Sequence, residues 1–228
     1  VQNVSSCTGN HTLHAVGVAR AAKHYGADEI AFSSQGEAST SEGYVYEALN
    51  GASREKLPVI FVVQNNGYGI SVPVSEQSAN PNVSDNYRGL KNLLIVNVDG
   101  TDHFDCYRGM QEALKYVKSG QGPCLLHAQC VRIGAHSNSD NHILYRSEEE
   151  REEAAKACPF TKLKGIMLAE GMATEEELAE IEAENEILVQ KAGDTVEGSP
   201  DPDPASVEDY AWPPLLEFTE TASPSEGS

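Results

Sequence analysis

Basic residues are scarce in this sequence: 16 Lys and Arg stand against 35 Asp and Glu, a formal net charge of −19. That balance repels phosphate backbones and anionic lipid, so neither nucleic acid nor a membrane surface is an expected partner. No apolar run approaches the ~20 residues needed to span a bilayer, and no secretory hydrophobic region is recognisable. The five cysteines (7, 106, 124, 130 and 158) are odd in number and scattered, with no CxxC pair. They read as reduced thiols of a cytosolic enzyme rather than a disulfide framework. An initiator Met is also lacking, and the expectation is an N-terminally truncated domain. What is present, 39% hydrophobic residues in 228, suffices for one domain with a substantial core and an appended segment.

The acidic excess is uneven and concentrates after Ser147. Before it, apolar runs alternate with helical patterns. Residues 12–25 read as a tightly packed, Ala-rich helix, and EIAFS at 29–33 as a strand. A helix follows over 41–54, with Glu42, Tyr46 and Leu49 at helical spacing; then VIFVV at 59–63 reads as a central parallel strand, apolar on both faces. LLIVNV at 93–98 is a further strand, 103–118 a helix, and CLLHAQCV after Pro123 another strand. This alternation predicts an α/β fold with a doubly wound, mostly parallel sheet. Ligands of such sheets sit at the carboxyl ends of strands. Those ends carry QGEAS, QNNGYG, DGTD and RIGAHS. Two charged helices then follow, the second with Thr174 and Glu177 in capping-box spacing. The expected organisation is a domain over 1–165, a helical segment over 166–192, and a disordered, acidic, Pro-rich tail or linker over 193–228, whose patch YAWPPLLEF at 210–218 suits docking on a partner.

The chemistry concentrates in GEAS at 36–39 and QNNGYG at 64–69. Each alone is a common turn sequence. Together, each ending a hydrophobic strand, they supply a carboxylate (Glu37), an amide oxygen (Asn66) and a backbone carbonyl (Tyr68). A hard divalent cation such as Mg²⁺ accepts such oxygens and shares its remaining positions with phosphate and water. Gly36, Ala38 and Ser39 are small enough for backbone to approach a diphosphate, and a helix starting near Ser41 would aim its amides at the same anion.

Residues 36–73 resemble the thiamine-diphosphate fingerprint of the E1 α-subunit family of 2-oxo acid dehydrogenases, in which Gly-Asp/Glu-Gly is followed downstream by Asn-Asn. The resemblance extends through SSCTGNHTLHAVGVARAAK at the start and VRIGAHSNSDNHILYRSEEE at 131–150, and so covers about residues 1–165. It implies a thiamine-diphosphate-binding fold holding thiamine diphosphate and Mg²⁺. Glu37, Asn66 and the Tyr68 carbonyl would bind the metal, while Gly36, Ala38 and Ser39 would face the diphosphate. Arg132 would reach the terminal phosphate, and Ser6 and Thr8 would line the aminopyrimidine pocket. His136 would be the catalytic residue beside the reactive carbon, and Asp140, Tyr145 and Arg146 would order the covering loop. Ser137 and Ser139 match positions phosphorylated in some relatives and are read here as unmodified.

The implied reaction is oxidative decarboxylation of a 2-oxo acid, with acyl transfer to the lipoyl group of an E2 acyltransferase. RIGAHSNSD is more similar to branched-chain members than to pyruvate members; pyruvate or acetoin dehydrogenase, and a non-catalytic structural paralogue, remain the alternatives. In this family a glutamate that activates the cofactor comes from the β half. An E1 β subunit or fused β half is therefore the expected partner, with the E2 lipoyl domain as the second, in an α2β2 or fused-homodimer assembly. The implied location is cytoplasmic for a bacterial protein and the mitochondrial matrix for a eukaryotic one. Three positions depart from the family pattern. Ala38 replaces a glycine, Gln64 stands where many branched-chain relatives carry a phosphate-binding arginine, and Asn10–His11 replace a Thr-Gln pair that binds a monovalent cation in some relatives.

Overall fold

The computed structural model describes residues 6–209, in two compact units that divide after Ala173. The first opens with α1 (His11–His24), β1 (Ala31–Gly36), a 3-10 turn over Glu37–Ser41, and α2 (Gly43–Glu55). It continues through β2 (Val59–Asn65), a two-residue hairpin of β3 (Tyr68–Gly69) and β4 (Val72–Pro73), and the short α3 (Val74–Gln77). Then come a 3-10 turn at Val83–Tyr87, β5 (Leu94–Asp99), α4 (His103–Lys118), β6 (Cys124–Gln129), a turn at His142–Leu144, α5 (Glu148–Lys156) and α6 (Pro159–Ala169).

The four long strands form one parallel sheet in the order β1-β2-β6-β5. β2 and β6 are interior, which explains their unbroken apolar runs: Val59–Val63 and Cys124–Ala128 are buried along their whole length. Odd and even positions serve different layers. Val59, Phe61 and Val63 pack with Val16, Ala19, Val45, Ala48 and Leu49 of α1 and α2. Ile60, Val62, Val96 and Val98 pack with Ala113 and Val117 of α4. Helices therefore cover both faces, as a doubly wound sheet requires, and each large side chain so buried contributes about 1.5–3 kcal/mol.

Several boundaries differ from the sequence expectations. β1 starts at Ala31 rather than Glu29 and alternates, with Ala31, Ser33 and Gln35 inward and Phe32 57% exposed. The α2 stripe that enters the core is Val45, Ala48, Leu49 and Ala52; Glu42 and Tyr46 point outward, so of the three residues read at helical spacing only Leu49 is buried. The residues expected to begin α2 near Ser41 form the 3-10 turn instead, and α2 starts at Gly43. Thr40 Oγ1 closes that turn by donating to the Glu37 carbonyl at 2.6 Å.

The expected boundary at 165 falls within α6. The second unit contains α7 (Glu175–Glu197), capped as expected by Thr174 and Glu177 bonding reciprocally. α7 runs through Gly193, so the segment expected to be disordered from 193 begins as helix. Gln190 Nε2 to Asp194 Oδ1 (2.7 Å) and Thr195 Oγ1 to the Lys191 carbonyl (2.7 Å) brace that last turn. The 210–218 patch lies outside the described residues. Among the described residues no helix is long and apolar enough to cross a membrane.

Candidate functional site

The ends of β1 and β2 are adjacent, Gly36 pairing with Gln64, and the chain beyond each turns into one cleft of about 530 Å³. From the β1 side come Gly36, Glu37, Ala38 and Ser39, and from the β2 side Asn66, Tyr68 and Gly69. Thr8 and His136 also line it. The structure thus brings together seven of the residues that the sequence assigned to cofactor binding or metal ligation, plus Tyr68.

Glu37 is 1% exposed. Its Oε2 accepts the Asn66 backbone N–H at 3.1 Å, while Oε1 is buried without a partner among the described residues. Burial pushes the carboxyl above the ordinary carboxylate range, although backbone amides, Asn66 among them, and the Arg132 charge pull the other way. A buried carboxylate oxygen with no donor is costly unless a cation or proton satisfies it. The Asn66 side-chain oxygen accepts the Tyr68 N–H at 3.1 Å, which fixes the turn that carries the Tyr68 carbonyl. An all-oxygen set of one carboxylate, one amide and one carbonyl has the chemistry of a hard-cation site. It contains a single acid, in keeping with the absence among the described residues of any cluster of three His, Cys, Asp or Glu suited to a metal.

The neighbouring Asn65 is a structural key. Its Oδ1 accepts the Gly67 N–H (3.0 Å), and its Nδ2 donates to the Pro81 carbonyl (3.0 Å) and to His127 Nε2 (3.1 Å). Burial pushes the His127 imidazole below its ordinary value, against the opposing charge of Asp85. Gly67 takes φ +83°, open to glycine at no steric cost.

Ala38 is not among the residues with positive φ, so alanine is unstrained where the family pattern has glycine. The match is tight all the same: a Cβ on Gly69 would lie 2.9 Å from the Ala38 Cβ. Gln77 holds this turn from the other side, donating to the Ala38 carbonyl at 2.8 Å and to Ser41 Oγ at 3.1 Å. Gln77, Ile70 and Val72 line the cleft without any sequence signal, because they arrive there by the fold-back of residues 68–77, and Glu42 lines it from the start of α2.

The remaining sequence-assigned residues sit elsewhere. Ser6 is exposed and is not part of the cleft lining. Gln64 is exposed and accepts from Ser34 Oγ at 3.1 Å. Arg132 stands behind the cleft wall, donating to the Ile70 carbonyl (2.6 Å) and Tyr145 Oη (2.7 Å), with its guanidinium 5.1 Å from the Tyr68 ring centre. Asp140 Oδ2 accepts from the His136 N–H (2.8 Å) and the Tyr145 hydroxyl (2.5 Å); Tyr145 is the chief cause holding its carboxyl below the ordinary range. Arg146 is buried, paired with Glu150 at 3.0 Å, and donates to the Arg132 carbonyl at 2.8 Å. Asp140, Tyr145 and Arg146 therefore do join the 132–146 loop to itself. The Tyr68 side chain, to which the sequence assigned no role, bonds Glu150 through its hydroxyl at 3.2 Å. The Arg146–Glu150 spacing of four residues is the sequence signal that could have found Glu150.

A family model described as "Dehydrogenase E1 component" matches residues 1–205. The 3-methyl-2-oxobutanoate dehydrogenase subunit alpha of Mycobacterium tuberculosis is 35% identical over 193 residues, 85% of this chain and 52% of that protein. The 2-oxoisovalerate dehydrogenase subunit alpha of Bacillus subtilis is 36% identical over 199 residues, 87% of this chain and 60% of that protein. The mitochondrial pyruvate dehydrogenase E1 component subunit alpha, somatic form, of Homo sapiens is 34% identical over 187 residues, 82% and 47% respectively. The chain spans about half the length of these relatives, and by family match, fold and cleft together it belongs to the dehydrogenase E1 component family, on the alpha side of the 2-oxo acid dehydrogenases.

Proposed function

We propose that this chain is the alpha part of a thiamine-diphosphate-dependent E1 component that decarboxylates a branched-chain 2-oxo acid and passes the acyl group to the lipoyl group of an E2 acyltransferase, working with a beta half. The observation that carries the reading is Glu37: a buried carboxylate with an unpartnered oxygen, beside Asn66 at the cleft formed by the ends of β1 and β2. Glu37, Asn66 and the Tyr68 carbonyl would hold Mg²⁺, whose charge would favour binding of a diphosphate beside them. When bound, thiamine diphosphate supplies the electron sink for loss of carbon dioxide.

The chain's own groups do the rest. Ala38 and Ser39 line the cleft and would offer backbone amides to the diphosphate. Arg132 supplies positive charge behind the cleft wall, its effect on Glu37 supporting electrostatic reach into the site. His136 lines the cleft, and its backbone N–H is pinned by Asp140; its imidazole is the group available there to hold or move a proton at the substrate oxygen. Ile70 and Val72 add apolar wall, in keeping with a branched aliphatic substrate. The names of the Mycobacterium tuberculosis and Bacillus subtilis relatives support branched-chain acids; pyruvate is the second reading, supported by the human relative.

The test measures binding of thiamine diphosphate with and without Mg²⁺, then turnover on a panel including 2-oxoisovalerate and pyruvate after a beta half is added. Mg²⁺-dependent binding, no turnover by the chain alone, and higher kcat/KM for 2-oxoisovalerate than for pyruvate are expected. Absence of Mg²⁺-dependent binding would sink the cofactor reading, and turnover by the isolated chain would sink the need for a partner.

A further inference from the structure

We propose that Glu150 is a positioning residue for the cleft, acting through the Tyr68 side chain, so that order in the 132–146 loop and the placement of the Tyr68 carbonyl are set together. The inference rests on the reading of Asn66–Tyr68 as part of a cofactor site. Tyr68 has two ends. Its backbone belongs to the turn fixed by Asn66, while its hydroxyl donates to Glu150 Oε2 at 3.2 Å, across 82 residues of sequence. The other Glu150 oxygen accepts from Arg146 Nε at 3.0 Å. Arg146 Nη1 holds the Arg132 carbonyl at 2.8 Å, and Arg132 reaches back to the Ile70 carbonyl at 2.6 Å. Between these anchors the two guanidinium carbons lie 5.1 Å (Arg132) and 5.7 Å (Arg146) from the Tyr68 ring centre, within cation–π range. The clasp closes a ring from the metal-side turn, through the first turn of α5, back to the hairpin tip.

Capping of α5 does not explain the Glu150 side chain. The Ser147 hydroxyl accepts the Glu150 backbone N–H at 3.1 Å, and the carboxylate is left to turn toward Tyr68 and Arg146. Arg146 is 5% exposed, so removing its carboxylate partner leaves a buried cation unpaired. Because coupling is reciprocal, whatever fixes the Tyr68 carbonyl also tightens the loop, and a disordered loop loosens the turn.

Hydrogen exchange of peptides covering 133–147, in the full chain free of ligand, tests the clasp with Glu150→Gln, Tyr68→Phe and the double variant. Each single substitution is expected to speed loop exchange about tenfold, the scale of one hydrogen bond to a charged group. The double variant is expected to match the faster single variant, because both act through one bond. Affinity for thiamine diphosphate with Mg²⁺ should fall by a similar factor in all three, while exchange in α4 stays at the wild-type rate. Independent, multiplying effects, or a Tyr68→Phe chain with wild-type loop exchange, would overturn the clasp. Tyr68→Phe removes a single hydroxyl, so it keeps the test open should Glu150→Gln fold poorly. If the wild-type chain binds no thiamine diphosphate while the ligand-free variants still behave as one unit, the cofactor reading falls and the Tyr68–Glu150 link stands.

Discussion

Glu37 combines a proton-affinity shift with an incomplete set of hydrogen bonds, and the two make a joint prediction. Its folded-state carboxyl binds a proton more tightly than the unfolded chain does, because burial outweighs the amides and Arg132 that favour the charge. The folded state is therefore penalised as pH rises from the ordinary carboxylate value through the raised one, and the penalty is absent at lower pH. Glu37→Gln is expected to raise the stability of the metal-free chain at pH 7, with the gain shrinking as pH falls to the ordinary carboxylate range, while abolishing Mg²⁺-dependent binding. Thermal melts across that pH range, with and without Mg²⁺, check both parts; a variant that still responds to Mg²⁺ would remove Glu37 from the ligand set. His127 works in the opposite direction. Its folded form resists protonation, so stability is full above its unfolded value and declines as pH falls through about 6.5. The Asn65 Nδ2 group facing it is a donor, so a charged ring would set two donors against each other. A His127→Asn chain should show a flatter stability profile between pH 7 and 5, read by denaturant midpoints. Glu37 and Asn66 were legible in the sequence because each ends an apolar run in turn-forming residues. Gln77 and Glu150 were mostly not, since their roles depend on contacts 39 and 82 residues away in sequence.

α4 matches its sequence pattern in both bounds, His103–Lys118, because strong local signals sit at each end. Asp102 caps it, accepting from the Phe104 and Asp105 amides at 2.8 and 3.1 Å, and Lys115 and Lys118 occupy its last turn. Asp102→Ala should cost about 1 kcal/mol in a denaturant melt. Gly109 lies within the same helix, where alanine is normally the better helix former. Here an added Cβ would come within 2.3 Å of Val98 Cγ1 on β5. Gly109→Ala is thus expected to destabilise by about 1–3 kcal/mol through overpacking, and a stabilised variant would contradict the helix–strand approach seen in the fold. Elements without such end signals were harder to read. The 3-10 turn at Glu37–Ser41 is too short to show a period. The last turn of α7 survives Gly193 through side-chain bonds that composition alone does not announce.

Charge divides the molecule as sharply as packing does. Of the 35 acidic residues, 22 lie from Ser147 onward, where only 5 of the 16 basic residues are found. The cleft and the parallel sheet belong wholly to the first unit, and α7, with none of its residues buried, to the second. A chain ending at Ala173 should therefore keep the far-ultraviolet signal of the sheet and its Mg²⁺-dependent binding of thiamine diphosphate, within about threefold in affinity, which is under 1 kcal/mol. Loss of the cooperative melt on truncation would show that the first unit needs the second. The sequence conveyed the existence of two parts through composition, but the point of division depends on α6, which runs unbroken through residue 165.

Ile70 sits at φ +58° at the tip of the β3–β4 hairpin, with its carbonyl held by Arg132 and its side chain 54% exposed on the cleft wall. A β-branched residue is a poor choice for that backbone, which asparagine or glycine adopts more readily, and the mismatch costs about 1–2 kcal/mol. A library screened for heat resistance alone would drift to Asn or Gly at position 70, and the same library screened for retention of thiamine diphosphate would drift back to isoleucine. Laboratory evolution would then expose a conflict of interest at one side chain, between a chain that lasts and a chain that works.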